Sequence, residues 1–135
     1  MVRGTPQVLL VDDDRASILV LARVASRLGC HCVTARCGAT AFREFVRDRF
    51  DLVITDLNMP GGDGGVLSRR IRACSGVPIL VATAADAESA RAFGISELEC
   101  VRVLHKPLAP AVLREAIESA LAVPTHPLQA VLTAV

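Results

Sequence analysis

Two hydrophobic patterns alternate along this chain. Short, continuous apolar runs predict β-strands that are buried on both faces, and longer segments with an apolar residue every three or four positions predict amphipathic helices. Three of the strand-like runs have no polar interruption, whereas two others are of mixed polarity. The uninterrupted runs are residues 8–11, 52–54 and 79–82, and the mixed ones are 31–35 and 101–104.

Helical spacing separates these strands and follows the last of them. It predicts five helices, over residues 17–28, 38–48, 67–74, 86–97 and 110–122. Strands that alternate with helices pair in parallel through right-handed crossovers, with helices on both faces of the sheet. If the two mixed strands lie at the edges, the strand order is 2-1-3-4-5. The predicted fold is therefore α/β, a doubly wound, five-stranded parallel sheet of the flavodoxin-like kind.

Charged and hydroxyl side chains follow the strands of this predicted sheet. Asp12 and Asp13 come directly after the first strand and Asp56 comes after the third. The fourth strand ends at Thr83, and the fifth leads into Lys106. Because the first and third strands are neighbours in this order, their acids are expected to meet at the switch point of the sheet, where such folds bind ligands.

This set of residues has the chemistry of a phosphoryl-transfer site. Three carboxylates at one edge repel each other and raise each other's pKa unless a cation is present, and all-oxygen ligands favour Mg²⁺. Lys106 adds a fixed positive charge, and Thr83 adds a hydroxyl donor. A carboxylate nucleophile with a metal ion and a cation suits phosphoryl transfer, and Asp56 is the predicted nucleophile.

The bulk properties narrow the class of protein. At 135 residues the chain is expected to form one domain over residues 1–122, followed by a short apolar tail or linker over 123–135. A formal net charge of +1 gives no basic surface for nucleic acid or for an anionic membrane. With no signal-like or membrane-spanning run, the protein is predicted to be cytoplasmic. The Cys30-His31-Cys32 sequence does not predict zinc, because neighbouring strand residues face opposite sides, and the five cysteines are expected to be buried, reduced thiols.

Four motifs resemble the receiver domain of two-component response regulators. They occur in the family's order and spacing between about Gln7 and Ala122. The motifs are Val11-Asp12-Asp13, Asp56-Leu57-Asn58-Met59-Pro60 with Asp63-Gly64, Thr83-Ala84, and Lys106-Pro107. The resemblance implies that Asp56 accepts a phosphoryl group from a phosphohistidine of a histidine kinase or a histidine phosphotransfer protein.

The same resemblance implies roles for the other site residues. Asp13, Asp56 and the backbone carbonyl of Asn58 are expected to bind Mg²⁺ directly, and Asp12 through a water molecule. Thr83 and Lys106 are expected to hold the phosphoryl oxygens. The bond between Lys106 and Pro107 is expected to be cis.

The chain departs from the family pattern where receivers transmit their signal. A Tyr or Phe usually lies three residues before the lysine, but here that position is Val103. The Gly-Ala turn common before the last strand is replaced by Leu98-Glu99-Cys100-Val101. A downstream protein target is expected to bind the face formed by the fourth predicted helix, the fifth strand and the last helix, although the usual aromatic side chain is missing from it.

Two other functions remain open at the sequence level. One is a receiver-like module that binds proteins without being phosphorylated, which the missing aromatic residue favours. The other is a phosphohydrolase with an aspartyl nucleophile, similar to haloacid dehalogenase-like enzymes. Those enzymes need a second acid two residues after the nucleophile, and this chain has Asn58 there.

Overall fold

The computed structural model describes residues 4–59, 64–84, 94 and 98–122. Within these residues lie the five predicted strands and four helices. The strands are β1 (Gln7–Val11), β2 (His31–Ala35), β3 (Leu52–Thr55), β4 (Ile79–Thr83) and β5 (Val101–His105). The helices are α1 (Arg15–Arg27), α2 (Gly38–Arg47), α3 (Gly64–Cys74) and α4 (Pro110–Ala122).

All strand pairs are parallel, and the strand order is β2-β1-β3-β4-β5. This confirms the predicted fold class and the placement of the mixed strands at the edges. Four of the predicted helices lie within the described residues. The other, over 86–97, lies outside them except for Gly94, as does the predicted tail over 123–135.

The sheet separates two apolar layers. Because alternate strand residues face opposite sides, Leu9 and Val11 of β1 pack towards α2 and α3, whereas Val8 and Leu10 pack towards α1 and α4. Every residue of β3 and β4 is buried, as their uninterrupted apolar sequences require. By contrast, β2 and β5 keep exposed positions, which is the physical basis of their mixed polarity.

Local signals set the start and end of α1. The Asp14 carboxylate accepts hydrogen bonds from the backbone N–H groups of Ala16 and Ser17, as an N-cap residue does. After the helix, Gly29 has a φ of +83°, a backbone conformation that glycine adopts without a steric penalty. The Asp14 cap therefore starts α1 directly after the acids that follow β1, and Gly29 allows the chain to turn after the helix ends.

The cysteines differ from their predicted burial. Cys30 is buried, and Cys32 and Cys37 are partly buried, but Cys74 and Cys100 are exposed. The expectation of buried thiols was therefore wrong for the last two. All five thiols are unpaired. Among the described helices, none has the length and apolar content to cross a membrane.

Candidate functional site

The backbone brings the predicted site residues to one edge of the sheet. The strand hydrogen bonds continue one residue beyond the strand ends, since Asp12 N–H donates to Ala35 O at 3.1 Å and Asp56 N–H donates to Val11 O at 2.8 Å. On the other side, Lys106 N–H donates to Thr83 O at 2.8 Å. The residues that follow β1, β3 and β5 are thus held in line with one another.

Three carboxylates form a cluster at this edge. Asp12, Asp13 and Asp56 each have a carboxylate oxygen within 4.8 Å of the others. Asp12 is only 1% exposed, the side chain of Asp56 is 14% exposed, and Asp13 is partly buried. This cluster confirms that the switch point gathers the acids of two strands.

Lys106 lies against this cluster. Its Nζ is 2.7 Å from Asp12 Oδ2 and 3.6 Å from Asp56 Oδ2. Burial lowers the pKa of Lys106, but the hydrogen bond to Asp12 and the charge of Asp56 outweigh this effect, so the pKa lies above its ordinary value. Lys106 is therefore a stable cation between two acids.

The environment of Asp56 disfavours its charged form. Burial raises the pKa of Asp56, and the charge of Asp12 raises it further. Lys106 and the backbone N–H groups of Leu57 and Asn58 act in the opposite direction, without cancelling the increase. Burial is the largest cause, so loss of hydration contributes more than the repulsion between carboxylates on which the sequence argument rested.

Hydrogen bonds hold both the side chain and the backbone of Asp56 in place. The Leu57 N–H donates to Asp56 Oδ1 at 2.7 Å, and the Thr55 hydroxyl donates to Asp56 O at 2.9 Å. Gly64 packs directly on this segment and donates its N–H to Leu57 O at 2.7 Å. A Cβ at Gly64 would collide with the carbonyl oxygen of Asp56, so this position accepts only glycine unless the backbone moves.

The donor set fits a hard divalent cation. All its side-chain donors are carboxylate oxygens that lie within 4.8 Å of one another, and the side chains of Asp12 and Asp56 are 1% and 14% exposed. Among the described residues, no other group of three or more His, Cys, Asp or Glu side chains converges in this way. Cys30, His31 and Cys32 in particular form no such group.

The remaining predicted residues lie at the same edge. Thr83 is 1% exposed at the end of β4 and is paired in register with His105 of β5. Asn58 is exposed, two residues beyond Asp56. The peptide bond between Lys106 and Pro107 is cis, as expected.

Beside the acids, a largely apolar groove of about 520 Å³ runs between α1 and the segment after β5. It reaches the site at Lys106 and Ser17. The Ser17 hydroxyl oxygen is 3.5 Å from Lys106 Nζ, a contact that the sequence analysis missed because nothing in the spacing of the two residues indicates it. The role of Gly64 was missed too, although the glycine-rich sequence around it was a signal for close backbone approach.

A doubly wound α/β domain with a buried acidic cluster and a lysine at its switch point defines a narrow class of phosphoryl-accepting signalling domains. The family model described as response regulator receiver domain matches residues 8–118. The chain belongs to this family and is a receiver domain of the two-component signalling type.

Individual relatives agree with this assignment. The virulence sensor protein BvgS of Bordetella pertussis is 34% identical over 136 aligned positions, which cover 90% of this chain and 11% of that protein. The sensory transduction protein RegX3 of Mycolicibacterium smegmatis is 33% identical over 100 positions, covering 74% of this chain and 43% of that protein. The chain thus spans about a tenth of the length of BvgS and less than half of the length of RegX3.

Solved structures show the same fold. The signal receiver domain of an HD domain-containing protein from Pseudomonas fluorescens Pf-5 superposes with a TM-score of 0.82 at 29% identity, with 90% of each chain covered. The chemotaxis response regulator CheY4 of Vibrio cholerae gives a TM-score of 0.78 at 26% identity, covering 87% of this chain and all of that one.

Proposed function

We propose that Asp56 is the phosphoacceptor of this receiver domain and takes its phosphoryl group from a phosphohistidine. The observation that carries the proposal is the convergence of Asp12, Asp13 and Asp56 within 4.8 Å, with the Lys106 ammonium against the same group. Asp12 is a weaker candidate for the acceptor, because it is almost fully buried and bound by Lys106.

In the proposed reaction, a carboxylate oxygen of Asp56 attacks the phosphorus of the donor. An O–P bond forms, the N–P bond of the phosphohistidine breaks, and the imidazole leaves with the electron pair and is protonated. The product is an aspartyl phosphate. The Leu57 N–H fixes Asp56 Oδ1 at 2.7 Å and so holds the plane of the carboxylate for this attack.

Charge develops on the phosphoryl oxygens during transfer, and two residues are placed to stabilise it. Lys106 lies 3.6 Å from Asp56 Oδ2, so its ammonium is next to the point where the phosphoryl group attaches. Thr83, at the end of the adjacent strand β4, supplies a hydroxyl donor. In this proposal both hold phosphoryl oxygens and neither forms a covalent bond.

A magnesium ion is part of the proposal. Asp13, Asp56 and the backbone carbonyl of Asn58 would bind it directly, and Asp12 through a water molecule. When bound, the ion neutralises the acidic cluster and the incoming phosphoryl charge. The domain would thus assist its own phosphorylation and its slow hydrolysis, without acting as an enzyme on other substrates.

The proposed partners are a histidine kinase or a histidine phosphotransfer protein, in the cytoplasm. The presence of similar domains in a protein named as a virulence sensor and in one named as a sensory transduction protein supports this class of partner. The downstream target is proposed to be a protein that binds the face containing β5 and α4, with no role for nucleic acid.

Incubation with acetyl phosphate and Mg²⁺ tests the acceptor. Intact-mass measurement should show one added phosphoryl group on the wild type and none on Asp56→Asn. Asp48→Asn is the matched control, because Asp48 is an exposed acid at the end of α2, away from the cluster. Uptake by Asp56→Asn, or no uptake by the wild type at saturating Mg²⁺, would refute the assignment.

A constitutive binding module is the second candidate, and Val103 favours it. This partly buried valine packs at the edge of the core layer shared with α2 and α3, where receivers usually carry an aromatic side chain. Addition of beryllofluoride separates the two functions, because a phosphorylation-responsive domain changes its amide NMR spectrum and a constitutive module does not. Catalytic turnover of a phosphomonoester would instead indicate the hydrolase, against which Asn58 argues.

A further inference from the structure

Lys106 has a third contact besides those with the two acids. The ammonium carries three N–H donors, and three acceptors from the described residues lie near it: Asp12 Oδ2 at 2.7 Å, Ser17 Oγ at 3.5 Å and Asp56 Oδ2 at 3.6 Å. Ser17 is the only uncharged member of this group. It belongs to the first turn of α1, so its contact ties the residue after β5 to the helix that follows β1.

The Ser17 hydroxyl is itself held in place. It donates its proton to Asp14 Oδ2 at 2.9 Å, which leaves the oxygen lone pairs free to accept from Lys106. Asp14 is fixed in turn as the N-cap of α1 by the backbone N–H groups of Ala16 and Ser17. A chain of hydrogen bonds therefore runs from the Lys106 ammonium through Ser17 to a capping carboxylate outside the acidic cluster.

We propose that Ser17 is a positioning residue that sets where the Lys106 ammonium stands during phosphoryl transfer. The inference rests on the proposed function of Asp56. Of the three acceptors, the Asp56 carboxylate becomes an acyl phosphate when it is phosphorylated, so its negative charge moves to the phosphoryl oxygens, and Asp12 belongs to the cluster that fits a divalent ion. The charge of Ser17 changes neither on phosphorylation nor on binding of a divalent ion. Its hydroxyl group can therefore hold the Lys106 ammonium in the same place while the ammonium binds the phosphoryl oxygens.

Ser17→Thr and Ser17→Val form the matched pair of variants, since the two side chains have nearly the same shape and differ in the hydroxyl group. Ser119→Ala is the control, because Ser119 is an exposed serine on α4 that bonds only to its helix neighbour Glu115 among the described contacts. Circular dichroism verifies that each variant is folded, and Ser17→Ala replaces Ser17→Val if the valine is not accommodated.

The first measurement does not depend on activity. Lys106 is the only lysine of the 135 residues, so protein labelled with ¹³C at the lysine ε-carbon gives a single lysine signal. In metal-free protein, Ser17→Val should shift this signal, whereas Ser17→Thr and Ser119→Ala should leave it at the wild-type position.

The second measurement is the rate constant of phosphorylation by acetyl phosphate at saturating Mg²⁺. Because the Ser17–Lys106 hydrogen bond is long at 3.5 Å, its loss predicts a decrease of about twofold for Ser17→Val, with recovery in Ser17→Thr. An unchanged lysine signal in Ser17→Val overturns the proposal, and so does a Ser17→Thr variant that is as slow as Ser17→Val. If the wild type takes up no phosphoryl group, the assignment of Asp56 fails, and the lysine signal still decides whether Ser17 positions Lys106.

Discussion

Lys106 makes its shortest contact with Asp12, not with Asp56: Nζ lies 2.7 Å from Asp12 Oδ2 and 3.6 Å from Asp56 Oδ2. Asp12 is 1% exposed, so its carboxylate has exchanged most of its hydration for this one ammonium group and the Asp14 N–H. The site therefore contains a largely buried ion pair between residues 94 positions apart.

Removal of this ammonium should destabilise the fold. Breaking a fully buried ion pair from one side typically lowers the free energy of unfolding by about 3–5 kcal/mol. Because Lys106 is 23% exposed, we expect about 2–3 kcal/mol for Lys106→Met. Urea unfolding followed by circular dichroism is the measurement, since the chain has neither Trp nor Tyr for fluorescence.

Magnesium should restore part of that loss, because a divalent ion at the cluster supplies the missing positive charge. The increase in unfolding free energy on adding Mg²⁺ is expected to be larger for Lys106→Met than for the wild type. Arg102→Met is the control: Arg102 forms an exposed pair with Glu115 at 3.2 Å, and its loss should change stability by less than about 1 kcal/mol. Equal decreases in unfolding free energy for Lys106→Met and Arg102→Met would contradict the predicted role of the buried ion pair.

The raised pKa of Asp56 predicts a pH-dependent gain in stability for Asp56→Asn. A carboxyl group with a higher pKa in the folded state holds its proton more tightly there, so it destabilises the fold as pH rises from its ordinary value of 3.8 through the folded-state value. Without metal at neutral pH, Asp56→Asn should therefore be more stable than the wild type. Below pH 3.8 the difference should disappear.

Urea unfolding of both proteins in EDTA from pH 3 to 8 measures this difference. Asp48→Asn is the control, because Asp48 is exposed and lies outside the cluster. Addition of Mg²⁺ should stabilise the wild type more than Asp56→Asn, since the variant lacks one carboxylate ligand. A wild type that is more stable than Asp56→Asn at neutral pH in EDTA would show that the site favours the charged form.

Gly64 should be intolerant of even a methyl group. In Gly64→Ala the new Cβ would overlap the carbonyl oxygen of Asp56, and it would lie 2.9 Å from the Asp56 carbonyl carbon and 3.1 Å from Leu57 Cα. These are backbone atoms that can move only by shifting the acceptor segment. We expect a decrease of about 2–4 kcal/mol in unfolding free energy, together with slower phosphorylation.

Gly4→Ala is the comparison for this substitution, because among the described residues no atom beyond its chain neighbours lies within 4 Å of the position its Cβ would take. Its unfolding free energy should match that of the wild type. If Gly64→Ala is equally stable and is phosphorylated at the wild-type rate, the close packing of α3 on the Asp56 carbonyl is not needed to place the acceptor.

Cys37 should react with alkylating reagents faster than Cys30 and Cys32. Hydrogen bonds from the Thr40 hydroxyl and backbone lower the pKa of Cys37, and its sulfur lies 3.2 Å from the Thr40 hydroxyl oxygen. Burial raises the pKa of Cys30 and of Cys32. Since the thiolate is the reactive form, limiting iodoacetamide at neutral pH should modify Cys37 faster than either of these two.

Peptide mapping by mass spectrometry measures this order in the folded protein. Thr40→Val should slow the modification of Cys37 and leave the other thiols unchanged, because it removes the hydroxyl group and keeps the shape of the side chain. Faster alkylation of Cys30 or Cys32 than of Cys37 would contradict the prediction.

The sequence by itself determined the strand order and the edge at which the site forms. Uninterrupted apolar strands must be buried on both faces, and the mixed polarity of residues 31–35 and 101–104 is compatible only with exposed edges. Once that order is set, the residues after β1 and β3 are neighbours, and those after β4 and β5 lie at the same edge of the sheet. Asp12, Asp13, Asp56 and Lys106 were therefore predictable from hydrophobic pattern and chain order.

Only the tertiary structure decided which of these groups touch. Lys106 pairs with Asp12 and contacts Ser17, and Gly64 closely approaches the backbone of Asp56. Each of these contacts joins separate segments of the chain, and a displacement of about an ångström would remove it. Arg72 is another example. Its guanidinium donates to Ser75 O and Val77 O at 2.7 Å each and so ties the end of α3 to the start of β4. Hydrophobic periodicity determines which face of an element is buried, but it carries no information about such distances, which result from the packing of all elements together.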